Sequence, residues 1–385
     1  MRNYTYLILL SLALTLGACV EEFDAGVIAD DVHALVVEGQ IVGGSECVFY
    51  VSHSVTLDAE SPSAASMSVG NATVTVRGSD GTRRHAVRGG DLMTYRVEMG
   101  ALSPDAEYWL EIVYEGRTYE SDHLKPLASP GIEAVTYEQP REDRQVDIMV
   151  TPAAETDGEV HYYRWSFDEY WEVNTPLIAS YEYDPEADAI VDITVDRHRG
   201  WCHTTENADV VGSDADYANG QIRLLRLACY GRQDNRFNTL YMMRLRQTAI
   251  SREEYQYQEL SDKLSSEMGG LFTPQPSALP SNVHCTTDND APVIGFVGVC
   301  LNASDVDLYI PGSEVGYTTP YSVEILSDDA QAEMTMHDIY MAGYRVELYE
   351  PMLGTVRWVK RWCVDCTDGL WGASLERPEF WPEDR

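Results

Sequence analysis

Leu102-Ser103-Pro104-Asp105-Ala106-Glu107-Tyr108-Trp109-Leu110-Glu111-Ile112-Val113 is the stretch on which the reading of the fold turns. From Tyr108 onward the chain is aromatic and β-branched, bounded by the proline turn before it and by Glu115-Gly116 after it, which marks a strand and a tight turn into Arg117-Thr118-Tyr119. Working outward, Ala72, Val74 and Val76 alternate with Thr73 and Thr75, the two-residue period of a half-buried strand. Ser79-Asp80-Gly81-Thr82 then supplies an Asp-Gly turn that reaches positive φ at low cost, so a hairpin follows. Leu35 to Val42 and Cys47 to Val51 read as two earlier strands.

The spacing Leu-x-Pro-x-x-x-Tyr resembles the tyrosine corner of fibronectin type III and related sandwiches, in which the tyrosine hydroxyl ties a strand to the turn before it. The fold class expected is therefore mostly β. An immunoglobulin/fibronectin-like β-sandwich over residues 34–130 is followed, after the Leu127-Ala128-Ser129-Pro130-Gly131 boundary, by a larger β-rich domain over 131–385 with one main α-helix. That helix is placed near 252–268. Ser251-Arg252-Glu253-Glu254 has the form of a capping box, Gly269-Gly270 closes the element, and Tyr257, Leu260, Leu264 and Met268 form a narrow apolar stripe.

The two ends of the address lie at the N-terminus. Arg2 precedes an apolar run from Tyr6 to Leu16, and Leu16-Gly17-Ala18-Cys19 puts small residues before a cysteine. Such a run is too short to remain as a membrane span, so residues 1–18 read as a lipoprotein signal and Cys19 as the lipidated N-terminus. An ordinary secretory signal with a chance cysteine is the weaker alternative. Val20-Glu21-Glu22-Phe23-Asp24 opens an acidic tether over residues 19–33 and looks like the export tag that brings Bacteroidota lipoproteins to the cell surface; a plain solvated tether is the other reading. Both place the protein in the outer membrane, held by its lipid.

A formal charge of −36 excludes nucleic acid as a partner, since a phosphate backbone would be repelled. Seven cysteines remain beside Cys19, and outside the cytoplasm such residues usually pair. Cys363-Val364-Asp365-Cys366 has the spacing of half a zinc site or of a redox pair, but a turn rather than a helix follows it and no second close pair completes a metal set. A structural disulfide, within the pair or to Cys202 or Cys285, is expected instead; no metal and no cofactor are implied.

In the second domain, His161 to Trp171 places Tyr163, Trp165, Phe167 and Trp171 on one strand face and Tyr162, Arg164, Ser166, Asp168 and Tyr170 on the other. The first face is core. Tyr162, Arg164, Asp168 and Tyr170 are the candidate binding residues, because sugar or peptide recognition uses such groups, although a solvent-facing strand looks similar. No nucleophile elbow, zinc-protease helix or phosphate loop is present, so no catalytic residue is assigned. The protein is read as leaning away from catalysis.

Several segments together resemble a Bacteroidota lipoprotein family classified only as a domain of unknown function. They are Leu35-Val36-Val37-Glu38-Gly39, Tyr162-Tyr163-Arg164-Trp165, Gly270 to Ser277, Asn282-Val283-His284-Cys285, Pro292 to Phe296, and the closing Cys363-x-x-Cys366 with Arg377-Pro378-Glu379-Phe380-Trp381. The resemblance implies a neighbour, since members tend to be encoded beside TonB-dependent outer-membrane receptors. An accessory to such a receptor, binding a nutrient ligand or the receptor itself, is thus the functional expectation. A surface hydrolase trimming substrate before uptake and a structural or adhesive envelope protein are the alternatives.

Overall fold

The computed structural model describes residues 34–54, 67–139, 145–205, 209–267 and 280–383. Residues 1–33, with Cys19 and the acidic tether, lie outside them, as do Gly269-Gly270 and the Gly270–Ser277 loop.

Eight strands are made by the first part of the chain: β1 (Leu35–Val42), β2 (Glu46–His53), β3 (Thr73–Gly78), β4 (Arg83–His85), β5 (Val87–Arg88), β6 (Thr94–Glu98), β7 (Tyr108–Tyr114) and β8 (Arg117–Ser121). The next ten are β9 (Ile132–Glu138), β10 (Gln145–Pro152), β11 (Tyr162–Asn174), β12 (Tyr181–Asp184), β13 (Ala189–Asp192), β14 (Arg199–Thr204), β15 (Val210–Ser213), β16 (Leu225–Gly231), β17 (Leu240–Ile250) and β18 (Val283–Cys285). Then come β19 (Val293–Cys300), β20 (Ser304–Pro311), β21 (Tyr344–Glu350) and β22 (Thr355–Lys360).

The first sandwich stacks sheet β19-β1-β2-β6-β5 on sheet β18-β8-β7-β3-β4. Alternate residues point inward as the two-residue period requires: Leu35, Val37 and Ile41 of β1, Cys47, Phe49 and Val51 of β2, and Tyr108, Leu110 and Ile112 of β7 form its core. The tyrosine corner is present. The Ser103 amide donates to the Tyr108 hydroxyl at 2.8 Å, and that hydroxyl donates to Asp80 Oδ2 at 2.6 Å in the β3–β4 turn. Gly78 is required beside it, because a Cβ there would lie 2.8 Å from the Tyr108 ring.

One expectation needs correction. The sandwich is not confined to residues 34–130, because β19 pairs in parallel with β1 from Leu35↔Val293 to Val42↔Cys300, and β18 pairs with β8. Open edge strands invite pairing, and here one edge of each sheet, β1 and β8, is covered by a strand from far downstream. The boundary at Leu127-Gly131 is accordingly no loose linker: Leu127 bonds to Val299 and Leu301, and Asn302 bonds to Ser129.

The second sandwich faces sheet β16-β10-β9 with sheet β14-β11-β17-β20. Tyr163, Trp165 and Phe167 of β11 are core, as expected, with Val146, Ile148, Met243 and Leu245. Trp171 is half-buried, and Glu169, which shares its face, is wholly buried and accepts from the Tyr241 hydroxyl at 2.6 Å. Helix α1 (Arg252–Glu267) lies between the sandwiches, with Tyr257 buried and Leu260 and Leu264 half-buried. Two short helices that the sequence reading did not anticipate, α2 (Asp328–Ala332) and α3 (Met336–Met341), are capped by Ser327 and Thr335. α3 packs on the β21–β22 hairpin around Ile339, Val346 and Trp358.

The expected disulfides are absent. Cys202, Cys285, Cys363 and Cys366 are thiols, as are the other described cysteines. Cys363 is buried against Val359 and Val364, whereas Cys366 is buried with Cys202, Trp371 and Ala373, and Cys285 lies in the first sandwich. The short spacing thus sends its two side chains into different cores. Burial raises the thiols of Cys202 and Cys366 to about 12 and about 11.

Candidate functional site

The outer faces of two sheets, one from each sandwich, enclose a cleft of about 660 Å³. Its first wall is made by residues of β1 and β2 that alternate with the core residues, chiefly Glu38, Gln40, Val48 and Tyr50, joined by Glu46 and Arg96. The second wall comes from β11, β17 and β20, with Arg164, Ser166, Asp168, Arg244, Arg246, Thr248 and Asp305; Thr205, Asp209 and Gln258 close one side. The volume falls within the range usual for small-molecule sites, about 300–1,000 Å³.

Helix α1 fixes the walls relative to each other. The Tyr257 hydroxyl donates to Glu38 Oε1 at 2.5 Å, and its ring packs on Phe296 of β19 at 5.8 Å. Ser251 Oγ accepts from the Glu254 amide at 3.1 Å, which is one half of the expected capping box. The Glu254 carboxylate goes elsewhere. It lies 3.8 Å from Arg164 and so close over Gly298 of β19 that a Cβ there would sit 2.1 Å from Oε2. Burial raises its carboxyl, Arg164 opposes that and Asp209 adds to it, and the group ends at about 7. Arg164 is ion-paired with Asp209; burial lowers its pKa, but Asp209, Glu254 and Glu38 outweigh this and hold it above the ordinary value. One arginine of the second sandwich therefore sits among carboxylates of the helix, of the first sandwich and of its own.

The four candidate binding residues divide. Arg164 and Asp168 line the cleft. Tyr162 packs on Tyr255 of α1 at 5.1 Å, and Tyr170 stacks on His203 at 4.1 Å with Phe380 edge-on at 4.8 Å, so both rings are covered by the chain's own aromatics. The cleft residues that sequence reasoning did not find belong to β1, β2 and β17. Their outward alternation is visible in the sequence, but nothing local reveals that the two sheets face each other.

A second recess, also about 660 Å³, lies beside the C-terminal segment. Its main charged groups pair with one another: Arg199 donates to Glu172 at 2.9 Å, and Trp381 Nε1 donates to the same carboxylate at 2.9 Å. The cleft between the sandwiches is the better site.

Two β-sandwiches, the first completed by two strands that return from far downstream, with a polar cleft between them, define the class of architecture. Residues 20–305 match the model described as Domain of unknown function (DUF4249), and the chain belongs to that family. No curated protein matches. Among solved structures, a two fibronectin type-III domain segment from chicken tenascin is similar at 10% identity with a TM-score of 0.16, covering 57% of this chain and 91% of that one.

Proposed function

We propose that this protein is a lipid-anchored accessory of the outer membrane, tethered through Cys19, that works beside a TonB-dependent receptor and holds a polar nutrient ligand in the cleft between its sandwiches. The observation that carries the reading is the cleft itself: two sheet faces lined with arginines, carboxylates and amides, held open by a helix wedged between them. The signal-like start of the chain and the family resemblance support the membrane and the receptor. Surface hydrolysis gains less support. Glu254 is the carboxyl that holds a proton near neutrality, yet it is sealed beneath Gly298 and does not line the cleft.

The test is mild detergent extraction of native outer membranes with the protein tagged at Arg385, with mass spectrometry of what co-purifies. A stoichiometric TonB-dependent receptor is expected. Recovery of the lipoprotein alone would overturn a stable accessory role. Palmitate labelling that survives Cys19→Ala would overturn the anchor.

A further inference from the structure

Three strands of the second wall carry their polar residues in cross-strand rows. Asp168 of β11 stands opposite Arg244 of β17, which stands opposite Asp307 of β20; one row over, Ser166, Arg246 and Asp305 are aligned in the same way. Directly opposed charges on one face are the pairs that normally interact. Here each arginine turns away from β11. Arg244 grips Asp307 with two bonds of 2.9 and 3.0 Å and is covered by Phe380 at 4.4 Å, and Arg246 grips Asp305 at 2.8 and 3.1 Å. Such forked pairs are the strong form of the interaction, so neither arginine is readily recruited elsewhere.

Asp168 is left over. Among the described residues no hydrogen bond or ion pair takes up its carboxylate, and it reaches Arg246 only as a weak field behind that of Asp305. On the facing wall Arg96 is paired with Glu46 at 3.0 Å, while Glu38 accepts from a neutral tyrosine. The cleft's cations are therefore each matched to a carboxylate, Glu38 lies in the field of Arg164 and accepts from Tyr257, and Asp168 remains as charge without a counter-ion. Asp168 is half-buried and lines the cleft, so a cation entering there meets a carboxylate for which no arginine of the protein competes closely.

We infer that the ligand is an organic cation bearing a primary ammonium or guanidinium group, and that Asp168 is its anchor; this rests on the cleft being the ligand site. Anionic ligands are repelled, both locally and by a chain of charge −36 that steers cations toward it. A hard metal ion would need several converging oxygens, and Asp168 supplies one carboxylate. Tyr50, 55% exposed at the mouth, offers a ring face of the kind that attracts cations.

The test is calorimetric titration of the full-length lipoprotein in detergent with spermidine, trilysine, triglutamate and maltotriose. Binding of spermidine or trilysine is expected, weakened by added salt and reduced about 10- to 100-fold by Asp168→Asn, the span for loss of a charged hydrogen bond. Spermidine alone would mark a free polyamine and trilysine alone a basic peptide. Ser166→Lys, which supplies an internal ammonium beside Asp168, is the second variant and should also abolish binding. Cation binding that both variants leave unchanged, or no cation binding at all, overturns the inference. Maltotriose binding without cation binding overturns it too while leaving the cleft as the site, and receptor co-purification judges the accessory role separately.

Discussion

Replacing Glu254 with glutamine tests the wedge between the sandwiches through its dependence on pH. Folding raises this carboxyl from its ordinary 4.5 to about 7, so the folded chain holds the proton more tightly than the unfolded chain does. The sign follows: the stabilising contribution is complete below pH 4.5, declines as pH rises and is lost once pH passes about 7. At about 1.4 kcal/mol for each pH unit, the loss is of the order of 3 kcal/mol. Glutamine has the shape of the protonated glutamate and cannot ionise. E254Q should therefore match the wild type near pH 4.5 and exceed it by about 2–3 kcal/mol at pH 8. Urea denaturation at pH 4.5, 6, 7 and 8 reads this as the difference between the two proteins, which cancels other titrating groups. A difference that stays flat with pH, or a wild type that gains on the variant as pH rises, would refute the account of Glu254.

Further outcomes follow from the same geometry. Gly298→Ala should cost about 1–3 kcal/mol through the collision with Glu254, and less when combined with Glu254→Ala, so a denaturation cycle should show strong coupling. Tyr108→Phe should cost about 1–3 kcal/mol in urea with an unchanged slope, since it strands the Ser103 amide and removes a donor from Asp80. His161 bonds Asp214 at 2.9 Å and Asp157 at 3.1 Å; burial lowers its pKa, yet the two carboxylates outweigh this and hold it above 6.5. Its contribution is present below pH 6.5 and lost as pH rises through the raised value, so His161→Gln should flatten stability between pH 6 and 9. Thiol titration with Ellman's reagent should find Cys229, the least buried, reacting first in the native protein, and should find all seven described thiols after unfolding.

The tyrosine corner was legible because its turn is local, announced by Leu102, Pro104 and Tyr108, whereas the bond from Tyr108 to Asp80 joins residues from different hairpins and was not foreseen. The core face of β11 was legible for the same reason, since strand alternation is a property of neighbours. The pairing of β1 with β19 was hidden, because no pattern in Leu35–Val42 distinguishes a downstream parallel partner from a nearby antiparallel one. Glu254 was misread in part because a glutamate three residues after a serine is what a capping box looks like, and only the approach of Gly298 redirects its side chain. At the site, Arg164 and Asp168 were named by residue type and line the cleft, while the covering of Tyr162 and Tyr170 depended on Tyr255, His203 and Phe380, which come from other elements. The cleft's other wall could not be seen at all until the two sheets were placed face to face.

The strand that closes the first sandwich also sets the order in which the molecule can be assembled. Leu35 pairs with Val293, so both sheets of that sandwich keep an open edge until nearly three hundred residues have been made. Contacts so distant in sequence close late and slowly. A nascent chain thus stays unable to lock, and a product cut short before β18 would leave β1 and β8 as unpaired edges, which are templates for aggregation. Folding of the N-terminal half then reports on completion of the chain.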